Sequence, residues 1–122
     1  MPTVHGVLLS PFGRKVPILL ECKGGEYDLN PVIPIDPPPQ YKAKSALGKV
    51  PCHEDDDIVA PDSSVICQYL EETHLAPAMY PSTATERARA RWYEEYADTK
   101  LIEVLGGPLF FEDGEFMSNP CA

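Results

Sequence analysis

The chain has no stretch approaching the roughly 20 consecutive apolar residues that a membrane-spanning helix needs. Its start, Met1-Pro2-Thr3-Val4-His5-Gly6, has no basic region ahead of an apolar run, so no export signal is expected and neither is a membrane partner. Together these absences predict a cytoplasmic protein. Basic residues are scarce: Lys and Arg total 10 against 19 Asp and Glu, a formal net charge of −9. Apart from Arg87, Arg89 and Arg91 no basic cluster interrupts the acidic balance, so nucleic-acid phosphates would be repelled and are not expected as partners. The three histidines are scattered, and Cys22, Cys52, Cys67 and Cys121 form no Cys-x-x-Cys pair. That spacing supports no metal site. Cys22 and Cys67 fall in amphipathic helical patterns where free thiols are commonly buried, so the even cysteine count is not read as a disulfide framework.

What is present suffices for one packed core with an appended element, since 43% of the 122 residues are hydrophobic and 24% charged. Thr3 to His5 reads as a short strand. Ser10-Pro11 then opens a helix, Ser as the cap and Pro at the first position, with Phe12, Val16, Leu19 and Leu20 at near-helical spacing and Gly24-Gly25 ending the run. Pro17 inside that helix deletes a backbone donor at a cost of about 3 kcal/mol, which predicts a kink or an irregular turn. Glu26 to Ile33 reads as a second strand, Pro34 to Pro39 as a rigid connection, and Gln40 to Ala46 as loose helical turns. Val50 to His53 and Ile58 to Ala60 should pair as a hairpin across the acidic turn Glu54 to Asp57. Asp62-Ser63-Ser64 offers capping oxygens to a helix that buries Val65, Ile66, Tyr69 and Leu70.

Leu75 to Ser82, with Pro77 and Pro81, is the clearest linker. Beyond it Thr85 to Leu105 predicts a long helix with Ala88, Trp92, Tyr96 and Thr99 in one stripe, stopped by Gly106-Gly107-Pro108. The tail carries Leu109, Phe110, Phe111, Phe116 and Met117, which are expected to be covered or disordered. Strands alternating with helices before a closing hairpin predict an α/β fold, a mixed four-stranded sheet with helices packed on it, followed by one long helix. The predicted boundaries are 1–76 for the first domain, 77–84 for the linker and 85–122 for the part that holds the long helix.

That order is the thioredoxin-like layout, and several motifs within it resemble one family. Ser10-Pro11-Phe12-Gly13-Arg14-Lys15-Val16 resembles the Ser-Pro-Phe-x-x-Arg/Lys-Val run at the active-site helix of serine-type glutathione transferases. Leu47-Gly48-Lys49-Val50-Pro51 resembles the family's Gly-Lys-Val-Pro segment, Asp62-Ser63-Ser64-Val65-Ile66 its Asp/Glu-Ser-x-x-Ile segment, and Tyr69-Leu70-Glu71 the Tyr-Leu-Glu that closes the same helix. Arg87-Ala88-Arg89-Ala90-Arg91-Trp92, after Met79-Tyr80-Pro81, looks like the start of the family's helical domain, a resemblance that marks 85–122 as a truncated all-helical domain. The resemblance implies glutathione as co-substrate, a small electrophile as second substrate, a homodimer, and Ser10 as the catalytic residue that stabilises the thiolate. It implies a glutathione site at Phe12, Lys49, Val50, Pro51, Asp62 and Ser63, with Pro51 cis.

Each of these residues also has an ordinary reading. Ser10, Asp62 and Ser63 can be simple helix caps, Lys49 a solvated cation, and Pro51 a trans proline at a strand start. A glutaredoxin would need cysteine where Ser10 stands, so dithiol redox chemistry is not expected there, and Cys52 reads as a buried strand residue rather than a reactive thiol. Family members continue through further helices that wall the electrophile pocket, whereas this chain stops after one. The alternatives to a transferase are therefore a non-catalytic glutathione-binding module and a dimerising interaction fragment.

Overall fold

A computed structural model describes residues 1–8, 10–32, 38–45 and 50–104, together with the backbone of 111–112 and 115–116. The chain divides into two compact units, Met1–Tyr80 and Pro81–Ala122. The first unit runs β1 (Thr3–His5), α1 (Pro11–Cys22), β2 (Asp28–Asn30), α2 (Pro39–Lys42), β3 (Cys52–Glu54), β4 (Val59–Ala60) and α3 (Ser63–Thr73). Its sheet has the order β2-β1-β3-β4, with β1 parallel to β2 and antiparallel to β3, and β4 antiparallel to β3. This is the mixed thioredoxin-like sheet. The second strand is shorter than the sequence predicts; it forms one edge of the sheet, and all three of its residues are exposed.

Strand residues alternate between faces, and the register assigns them. Val4 pairs with His53, and His53 with Ala60, on the face covered by α1 and α3, where Val16, Leu19, Leu20, Ile66, Cys67 and Leu70 complete the core. His5 pairs with Cys52 on the opposite face, beneath Tyr41 of α2, with Val32 and Val50. Burying each such aliphatic side chain contributes roughly 1.5–3 kcal/mol. On that second face Glu54 Oε2 accepts from His5 Nε2 at 2.8 Å and from Lys44 Nζ at 2.6 Å. The ring proton therefore sits on Nε2, and His5 Nδ1 accepts from the Asn30 amide at 2.9 Å. The Lys44 and His5 hydrogen bonds hold the Glu54 carboxyl below its usual range.

Helix α1 is continuous through Pro17, which is buried within it. Its end follows the Gly24-Gly25 signal: Gly24 is left-handed at φ 69°, Gly24 N donates to Glu21 O, and Gly25 N donates to Leu20 O. Cys22, in the last turn, is exposed, which corrects the expectation of a buried thiol there; Cys52 and Cys67 are buried, and Cys121 lies outside the described residues. The next residue, Lys23, closes α1 and buries its ammonium completely. Lys23 Nζ donates to Glu71 Oε1 at 3.0 Å and to the carbonyls of His74 at 2.6 Å and Pro77 at 2.8 Å, satisfying the end of α3. Glu71 in turn accepts the backbone N–H groups of Met79 and Tyr80. Its partial burial alone would raise its pKa, but the Met79, Lys23 and Tyr80 donors outweigh this and lower it.

The second unit contains α4 (Ala84–Tyr96), which is capped by the Thr83 hydroxyl on Glu86 N. The predicted uninterrupted helix instead widens into a π-helical turn over Ala97–Leu101 before helical residues resume at 102–104. Within that turn the Thr99 hydroxyl donates to Glu95 O at 2.6 Å, the same i−4 bond that the Thr73 hydroxyl makes to Tyr69 O at the end of α3. No residue of α4 is buried; Trp92 stacks on Tyr96 at 5.5 Å, and both are exposed with Tyr93. Backbone pairs Phe111↔Phe116 and Glu112↔Glu115 form a short hairpin, and the predicted fate of the tail's apolar side chains lies outside the described residues.

The buried Lys23–Glu71 pair gives a direct test. Glu71→Ala leaves an ammonium with no solvent access and only neutral carbonyls, and is expected to destabilise by about 3–5 kcal/mol. Urea unfolding of the variant checks this against Glu72→Ala on the exposed side of the same helix, which is expected to change stability by less than about 0.5 kcal/mol.

Candidate functional site

The register brings three connections to one end of the sheet. β1 ends at His5, which pairs with Cys52 at the start of β3, so Val50-Pro51 lies beside the exit of β1. A side-chain carbon built on Gly6 would be 3.5 Å from Val50 Cβ and 3.7 Å from Pro51 Cα, which measures that proximity. β4 ends at Ala60, opposite His53, and therefore delivers Asp62-Ser63 to the same end. Ser10, starting α1 directly after the β1 exit, completes the set. Ligands of open α/β sheets commonly bind at such carboxyl ends.

Local chemistry explains each placement. Ser10 is the N-cap of α1 in extended conformation, and its Oγ accepts the Gly13 N–H at 3.2 Å. Phe12 follows in the first turn, half-buried. The Val50–Pro51 peptide is cis, as the resemblance implies, with Pro51 fully buried and Val50 buried. Asp62 caps α3 through Oδ1, accepting from Ser64 N at 3.0 Å and Val65 N at 3.2 Å, while Ser63 is buried at the first helical position. Lys15 Nζ donates to Ser64 Oγ at 3.3 Å and ties the early turns of the two helices together. Lys49 lies outside the described residues. Sequence reasoning missed the Lys15–Ser64 link, for which no local signal exists because the two residues are 49 positions apart.

The electrostatics separate this end from the hairpin turn. Burial pushes the Cys52 thiol up to about 11, with the Glu54 charge adding to it, so it is a poor nucleophile at neutral pH. In the turn, Asp55 Oδ2 accepts from His53 Nε2 at 3.0 Å and from the Tyr69 hydroxyl at 2.9 Å, and Oδ1 accepts from Asp57 N and Ile58 N. Partial burial alone would raise the Asp55 pKa, yet these hydrogen bonds outweigh it and hold it at about 2. His53 is fully buried, and its Nδ1 has no partner among the described residues. Among the described residues no group of three or more His, Cys, Asp or Glu could hold a metal ion. No described helix is long and apolar enough to cross a membrane.

Residues 4–78 match the family model described as glutathione S-transferase, N-terminal domain. The chain belongs to the glutathione S-transferase family. Glutathione S-transferase U10 of Arabidopsis thaliana is 28% identical over 119 residues, covering 92% of this chain and 49% of the relative. Among solved structures, the tau-class glutathione S-transferase of mango superposes with a TM-score of 0.80 at 25% identity, over 87% of this chain and 49% of that one. A human theta-class glutathione transferase, in complex with the glutathione conjugate of 1-menaphthyl sulfate, gives 0.79 at 26% identity over 89% and 46%. This family member spans about half the length of the curated relatives it matches.

The Asp55 cluster sets an acid limit for the first unit. A carboxyl depressed from 3.8 to about 2 contributes stability that is present above pH 4 and lost as pH falls from about 4 to about 2. Thermal melts over that range are expected to show a steeper loss for the native chain than for Asp55→Asn, which is less stable at neutral pH. Parallel curves would remove Asp55 as the cause.

Proposed function

We propose that the Met1–Tyr80 unit binds glutathione at the carboxyl end of β1, stabilises its thiolate through Ser10 and directs the sulfur to a small electrophile. The observation that carries this reading is the Ser10 geometry. Its Oγ accepts from Gly13 N, so the hydroxyl proton remains to be donated toward a thiolate at the N-terminus of α1. That donation and the positive helix end both lower a thiol pKa from about 8.5 toward neutrality. Glutathione supplies the nucleophilic sulfur: a carbon–sulfur bond forms, the leaving group departs with its electron pair, and the thiol proton passes to solvent.

The remaining residues bind and orient. Asp62 uses Oδ1 for capping, which leaves Oδ2 for the γ-glutamyl ammonium, and the Ser63 hydroxyl with the α3 N-terminus suits the neighbouring carboxylate. Val50 adjoins the start of β3, where its backbone suits pairing with the tripeptide as an added strand, and buried Pro51 holds it there. Phe12 sits in the same first turn as the thiolate position, and Lys49 supplies a cation for the second carboxylate. A second copy of the chain is the proposed partner. The relative that holds a glutathione conjugate on a similar fold supports the substrate class.

Two substitutions test the reading. Ser10→Ala is expected to lower kcat/KM for conjugation of an aryl halide by about 10²–10³, with glutathione affinity by calorimetry nearly unchanged. An unchanged conjugation rate would sink it. Asp62→Asn is expected to weaken glutathione binding roughly tenfold, which titration calorimetry reads directly.

A further inference from the structure

We infer that Gly13 is a positioning residue for Ser10: its missing side chain lets the Val7 carbonyl lie against the first turn of α1, and that contact sets where the Ser10 hydroxyl points. The inference rests on the role proposed for Ser10.

A Cβ built on Gly13 would lie 2.2 Å from Val7 O, 3.2 Å from Val7 C and 3.3 Å from Ser10 Cβ. All three atoms belong to the connection that carries Ser10. The same Val7 carbonyl accepts the Ser10 amide at 3.2 Å, while Ser10 O accepts Arg14 N at 2.9 Å. Gly13 N returns to Ser10 Oγ at 3.2 Å. Val7 O is thus held between the Ser10 N–H and the bare Cα of Gly13, and any side chain at position 13 must displace backbone. Rotation of a flexible group cannot relieve the contact, in contrast to Gly25, whose added carbon would meet the movable Leu20 Cδ2 at 3.1 Å.

Backbone conformation does not explain the glycine. Among the described residues the positive-φ glycines are Gly6 and Gly24, and Gly13 lies in the regular first turn of α1, where helix propensity favours alanine. A local preference broken at this point, with a backbone contact in its place, is the pattern expected where a site is held in shape. Asp62, Ser63 and Val50 enter from other connections, so a shift of Val7 and Ser10 moves the thiolate stabiliser and leaves those three groups in place.

Gly13→Ala in the full chain tests this by four readouts. The pH profile of bound-thiolate absorbance is expected to shift upward toward that of Ser10→Ala, and conjugation to fall by on the order of 10- to 100-fold, the scale of an ångström's misplacement. Glutathione affinity by calorimetry is expected to stay near wild type, and exchange of the Ser10 amide hydrogen to rise about tenfold as its bond to Val7 O loosens. The Ser10→Ala/Gly13→Ala double variant is expected to be no slower than Ser10→Ala alone, because both remove the same interaction. Wild-type amide exchange and a wild-type pH profile in Gly13→Ala would overturn the inference, as would a fully additive double variant. If Ser10→Ala leaves the thiol unchanged, the proposed function fails, and Ser10 amide exchange in Gly13→Ala still decides the positioning claim. Should Gly13→Ala not fold, protection of the Ser10 amide hydrogen against exchange in the native chain takes its place, and a Ser10 amide that exchanges at the rate of an unprotected one overturns the inference.

Discussion

The antiparallel pairing of β1 with β3 determines both which side chains enter the core and which loops meet. With His5 opposite Cys52 and Val4 opposite His53, the aliphatic side of β1 faces α1 and α3 while the polar side lies under α2. A slip of one residue would exchange the two faces, placing His5 in the aliphatic core. The same register sets Val50-Pro51 beside the exit of β1 and, through β4, brings Asp62-Ser63 to that end. The candidate site is therefore a consequence of sheet pairing before it is a consequence of any single side chain.

Within this acidic chain, carboxylates are used as anchors by surrounding them with donors. Glu71 collects the Lys23 ammonium and two backbone amides, Asp55 collects a ring nitrogen, a phenol and two amides, and Glu54 collects a ring nitrogen and an ammonium. Each ties a connection to an element distant in sequence. Burial of a carboxylate is unfavourable unless such partners are supplied, and the lowered pKa values of all three show that the donors prevail. Lys23 is the converse case, a cation with no solvent access that is sustained by one carboxylate and two carbonyls.

Much of the first unit was legible because its signals are local. Ser10-Pro11 starts a helix through one side-chain bond, Gly24-Gly25 ends it through a left-handed turn, and Asp62 caps α3 through its own carboxylate. The hairpin across Glu54 to Asp57 follows from two short apolar runs flanking an acidic turn that Asp55 organises. Other features were not legible. The exposure of Cys22 and of β2 depends on which helix face and which strand edge the rest of the chain leaves uncovered. The π-helical turn over Ala97–Leu101 is a local widening of the backbone that apolar periodicity does not register.

The motif Ser10-Pro11-Phe12-Gly13-Arg14-Lys15-Val16 determined by itself that a capped helix would begin there with a hydroxyl at its positive end, since capping, proline placement and dipole act within one turn. The sequence also determined the family through the order of its motifs, and it excluded a thiol from position 10. Tertiary structure alone decided that Val7 O would press on Gly13, that Lys15 would reach Ser64, and that three separate connections would converge. Those outcomes depend on strand register and on the close approach of backbone to backbone, which no local pattern of residues encodes.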